Sequence, residues 1–95
     1  VYIDRVIFRA AGTNVATCGR VFANNGQSNS YEKNNSLIKE ITLPATTLDE
    51  AAAFADQTLT IDAHLPAGFR LFVLLGTAVA SGYYVTVVGG EYLYA

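Results

Sequence analysis

The chain has 95 residues, of which 52% are hydrophobic and 15% charged, with a net charge of −2. An ordinary soluble domain is about 25% charged, so this is a single domain, too apolar for disorder and biased toward an assembly component. Its six Lys and Arg residues are spread singly and form no basic stripe, so nucleic acid is not an expected partner. Cys18 is the only cysteine, which excludes an internal disulfide; it reads as a small buried hydrophobe, with one thiol for a contact between chains as the alternative. The chain opens without the charged and apolar regions of a signal peptide and contains no Met. Val1 therefore reads as a processed or excerpted start.

Val1 to Ala10 predicts a first strand, with Tyr2, Val6 and Phe8 on one parity and Ile3 and Ile7 on the other. Ala11-Gly12-Thr13-Asn14 is a turn cluster. Val15 to Ala23 predicts a second strand with Gly19 as its bulge, closed by Asn24-Asn25-Gly26. Gln27 to Asn35 is a polar loop too hydrophilic to enter a core. Ser36 to Leu43 resumes strand character, Leu37, Ile41 and Leu43 facing one way and Ile38, Glu40 and Thr42 the other, until Pro44 ends it. Thr47-Leu48-Asp49-Glu50 has capping-box spacing before an alanine run, which fits either a short helix or a coil crossing between sheets.

Thr58 to Leu65 alternates most cleanly: Leu59, Ile61, Ala63 and Leu65 against Thr58, Thr60, Asp62 and His64, a half-buried strand with one wet face. Leu65-Pro66-Ala67-Gly68 turns the chain into a strand from Phe69 to Leu75 that expects cover on both sides. From Leu71 to Gly90 there is no charge at all. Glycines and β-branched residues divide that stretch into two strands around a small-residue connection from Gly76 to Gly82, rather than one membrane helix. The second of these strands is Tyr83 to Val88, Gly89-Gly90 is a break, and Glu91 to Tyr94 follows. Together the elements predict an all-β fold: an antiparallel β-sandwich, jelly-roll-like, of six to eight short strands.

No catalytic, cofactor or metal site is expected. His64 falls on the polar parity of a regular strand, and a zinc site would need ligands beyond one His and one Cys. The carboxylates are scattered, Asp49-Glu50 fits a capping role, and the glycines match no phosphate loop. Binding is expected instead from strand faces. Phe72, Leu74, Tyr83, Tyr84, Tyr92 and Tyr94 are the candidate interface residues, all large groups on strands that look apolar on both sides. Asn25, Asn29, Tyr31 and Asn34 form a candidate ligand loop, in which amides and one aromatic face would meet sugar hydroxyls.

Several segments occur in an order that resembles a known family. These are Ile3-Asp4-Arg5-Val6, Arg20-Val21-Phe22 leading to Asn25-Gly26, Asn34 to Glu40 with Leu43-Pro44-Ala45-Thr46-Thr47, Leu65 to Leu71, and Val87-Val88-Gly89-Gly90-Glu91-Tyr92. The order is similar to that of small β-sandwich virion proteins of tailed bacteriophages. The resemblance implies a non-enzymatic structural protein made in a bacterial host cytoplasm and carried on the capsid surface. There, as a head decoration or cement protein, it would contact the major capsid protein or another virion protein, with no membrane involved. A homo-oligomer is expected, a trimer first. The rival expectation is a receptor- or carbohydrate-binding module of a tail fibre or spike, using the Asn24 to Asn35 loop.

Overall fold

Two three-stranded antiparallel sheets make up the protein, as seen in a computed structural model that describes residues 2–28 and 30–90. The strands are β1 (Tyr2–Ala10), β2 (Thr17–Asn24), β3 (Asn35–Leu43), β4 (Gln57–His64), β5 (Arg70–Leu75) and β6 (Tyr83–Gly90). One sheet has the order β4-β1-β6 and the other β3-β2-β5. Only the β2–β3 hairpin joins neighbours within a sheet, and every other connection crosses between the two. The expected all-β antiparallel sandwich is therefore the fold.

The core is what the alternation of apolar residues dictates, corrected by two register breaks. Val6, Phe8, Val21 and Leu43 have no exposed surface, and Ile3, Leu59 and Ile61 close around them. In β1 the register shifts between Ile3 and Arg5, so that Ile61 and Asp62 of β4 both lie opposite Asp4. Against β6, Ile3 pairs with Gly89 and Arg5 with Val88, so Asp4 is an extra residue of β1 and resets its parity. Ile3, which the simple pattern places opposite to Val6 and Phe8, joins them in the core. Asp62 takes up the irregularity with φ +49, a left-handed conformation that aspartate tolerates better than most residues.

The same device operates in β3. Val21 pairs with Lys39 and Phe22 with Leu37, leaving Ile38 as the extra residue. Ile38 accordingly turns inward against the core, while Leu37 is exposed, the reverse of the simple alternation. The expected bulge at Gly19 is absent. Gly19 is instead a close-approach position, where an added Cβ would sit 2.7 Å from the Phe8 ring. The expected break at Gly89-Gly90 is not found either, because β6 runs through both glycines and pairs them with Ile3 and Tyr2. A side chain at Gly89 would collide with the Tyr2 carbonyl, so glycine here permits strand pairing rather than ending it.

The segment after Pro44 is coil with one tight turn, where Asp49 Oδ1 accepts a hydrogen bond from Ala51 N at 2.8 Å; no helix forms. The predicted strand over Glu91 to Tyr94 lies outside the described residues.

Two buried asparagines hold the connections together. Asn14 Oδ1 accepts from the backbone N–H groups of Ser81 (2.8 Å) and Gly82 (3.1 Å), and its Nδ2 donates to Gly82 O. Its backbone exchanges hydrogen bonds with Thr46. Three separate crossings are tied at this one residue. At the other end, Asn24 Oδ1 accepts from Gly26 N and its Nδ2 donates to Asn35 Oδ1.

Candidate functional site

The sandwich is closed along one side and open along the other. Strands β3 and β4 lie against each other, and Lys39 Nζ donates to Thr60 O across that seam at 2.7 Å. On the opposite side β5 and β6 are the free edges among the described residues. Val85 and Val87 pair with Phe8 and Val6 and so share the core-facing side of their sheet, yet they are 41% and 47% exposed. The second sheet does not reach over them.

The expected interface residues that the structure describes divide between two outer faces and the core. Phe72 and Leu74 lie on the outer face of the β3-β2-β5 sheet, where Leu37, Phe22 and Phe72 form a cross-strand row. The Phe22 and Phe72 rings stack at 5.1 Å between centroids, and Leu37 and Leu74 are about half exposed beside them. Arg20 and Glu40, paired at 3.0 Å, form the next row of this face. Glu32 and Asn35 line a shallow depression with Phe22, Phe72 and Leu74. Tyr84, 67% exposed, stands on the outer face of the other sheet next to Arg9, Asp56 and Thr86. Tyr83 turns inward against the core. Tyr92 and Tyr94 lie outside the described residues.

Tyr83 borders a cavity of about 110 Å³ lined also by Ala10, Pro44, Ala45, Thr46, Phe54, Ala55 and Gln57. Its hydroxyl is buried with no hydrogen-bond partner among the described residues, and burial pushes its pKa up.

In the candidate ligand loop the amides brace one another. Asn25 Nδ2 donates to Asn34 Oδ1, Asn34 Nδ2 donates to Ser28 O, and Asn25 Oδ1 accepts from Gln27 N. Arg70 clamps the loop from β5 through bonds from Nη2 to Gly26 O and Gln27 O. Tyr31 remains 62% exposed, with Lys33 Nζ 5.9 Å from its ring centre. Asn29 lies outside the described residues.

His64 sits on the wet face of β4, its ring 5.0 Å from that of Tyr2. Tyr2 donates a 2.5 Å hydrogen bond to Asp62 Oδ1, and that bond, with the neighbouring carboxylate charges, pushes the Tyr2 pKa up to about 12. Arg5 pairs with Asp4 and Arg9 with Asp56, all at the surface. Among the described residues no group of three or more His, Cys, Asp or Glu is arranged to hold a metal ion. No described helix is long and apolar enough to cross a membrane.

Sequence reasoning missed the Leu37–Phe22–Phe72 row as a unit, because Leu37 reaches this face only through the β3 bulge. The apolar residues on both parities of β5 were the available signal. Comparison of the chain with family models, with curated proteins and with solved structures finds no match.

Proposed function

We propose that the chain is a non-enzymatic structural protein of a tailed-bacteriophage particle, decorating or cementing the capsid by laying the outer face of its β3-β2-β5 sheet on a shell protein. The observation that carries this reading is the Leu37–Phe22–Phe72 row with Leu74, an apolar strip on a face that the fold itself leaves uncovered. Such a strip, rimmed by the Arg20–Glu40 pair, has the makeup of a binding patch: large apolar groups at the centre and charge at the edge. Each large side chain, once fully buried, contributes roughly 1.5–3 kcal/mol. Contacts of that size, repeated over many copies on a symmetric shell, give firm attachment without a large interface per copy. The resemblance in segment order to small phage virion proteins supplies the particle.

The test is location and copy number. Quantitative mass spectrometry of purified particles, with antibody labelling seen by electron microscopy, is expected to find the chain in high copy number over the head. Labelling confined to tail tips would overturn the capsid reading in favour of a fibre or spike module.

A further inference from the structure

A strand at the edge of a sheet presents unpaired N–H and C=O groups, and proteins ordinarily guard such edges with charge, proline, bulges or shortness. Three of the four edges here are guarded. β3 carries Lys39, Glu40 and its bulge, β4 carries Asp62, His64 and its own irregularity, and β5 is six residues long and opens on Arg70. β6 is guarded least: the one shift in its pairing with β1 falls near its end, between Val88 and Gly89. Over Tyr83–Gly90 it runs eight residues, about 27 Å, with no charge, no proline and both faces largely exposed.

We infer that β6 pairs antiparallel with β6 of a second copy about a two-fold axis through Thr86, joining two three-stranded sheets into one of six strands. This rests on the reading of the chain as an assembly subunit, but it uses a different surface from the face proposed to meet the shell. The occupant follows from self-complementarity. With Thr86 opposite itself, Val85 meets the partner's Val87 on the inner face, and Tyr84 meets the partner's Val88 on the outer face. Thr–Thr, β-branched and aromatic–β-branched neighbours are the cross-strand pairs that stabilise antiparallel sheets, and no like charges oppose each other anywhere along the strand. The pairing also extends apolar cover over Val85 and Val87. A two-fold closure, rather than the three-fold first expected, follows from the edges. A ring would require β6 to meet a different edge, and its longer alternatives, β3 and β4, are the guarded ones lying against each other on the closed side.

Sedimentation equilibrium of the purified chain is expected to give twice the 10.2 kDa monomer mass. Thr86→Lys, which places two ammonium groups opposite each other on the axis, is expected to weaken the dimer more than tenfold while circular dichroism stays that of the folded chain. In a Cys18→Ser background, Thr86→Cys is expected to form an oxidised dimer across the axis and Tyr84→Cys is not, a register-specific result that stands even if the lysine variant misfolds. A chain that stays monomeric to millimolar concentration, or a Thr86→Cys variant that does not cross-link, overturns the inference. Unchanged particle attachment in Leu37→Ser/Leu74→Ser with the dimer intact would overturn the outer-face reading alone, so the two readings fail separately.

Discussion

At the scale of single residues, the described chain spends its polar groups on holding its connections, and one of them is left over. Asn14 is the most heavily used. Asn14→Ala removes the acceptor of two backbone N–H groups at the β5–β6 crossing and is expected to cost about 2–4 kcal/mol, read as a lower midpoint in urea unfolding. Tyr83 is the opposite case. Its hydroxyl is buried and unpartnered among the described residues, so Tyr83→Phe is expected to be neutral or to stabilise by about 1 kcal/mol in the same measurement, and a loss of stability would show that the hydroxyl is engaged. Tyr2 makes a pH prediction. Its phenol pKa is raised from 10.0 to about 12 by the bond to Asp62, so the neutral phenol is favoured in the folded state. The stabilisation is fully present below pH 10 and is lost as pH rises through 12. Titration of tyrosinate absorbance is expected to lose its highest-pH step in Tyr2→Phe.

At the scale of elements, the strand over Thr58 to Leu65 was legible because its alternation is simple: Leu59 and Ile61 are buried and Thr58, Thr60, Asp62 and His64 are exposed, as the pattern requires. β1 and β3 were legible as strands but misread in facing. Each carries one residue too many for its partner, and nothing in a period-two pattern announces an extra residue. The glycines were misread for a related reason. A glycine inside a strand signals a bulge, a break or a close approach alike, and only the partner strand decides among them: the Phe8 ring at Gly19, the Tyr2 carbonyl at Gly89. Gly19→Ala is expected to destabilise by about 1–3 kcal/mol through overpacking against Phe8. The partner change Phe8→Leu in the same chain is expected to recover part of that loss.

At the scale of the whole molecule, the order of strands in the sheets was not legible, since it is set by pairings between segments up to the length of the chain apart, such as β1 with β6. The surplus of apolar residues was legible from composition. Its location was not: it falls partly on the outer face of one sheet and partly on the open side along β6. The candidate residues Phe72, Leu74 and Tyr84 were named from size and polarity alone, and they lie on exposed or half-exposed strand faces, whereas Leu37 and Phe22 needed the β2–β3 and β2–β5 registers to bring them beside Phe72. Such apolar strips mark contact with other proteins. The most direct measurement for the proposed capsid attachment is binding of the purified chain to phage particles that lack it, comparing the wild type with Leu37→Ser/Leu74→Ser. Both substitutions are at exposed positions and are expected to leave the thermal midpoint nearly unchanged. The account predicts at least a tenfold loss of affinity, and equal binding by the two proteins would contradict it.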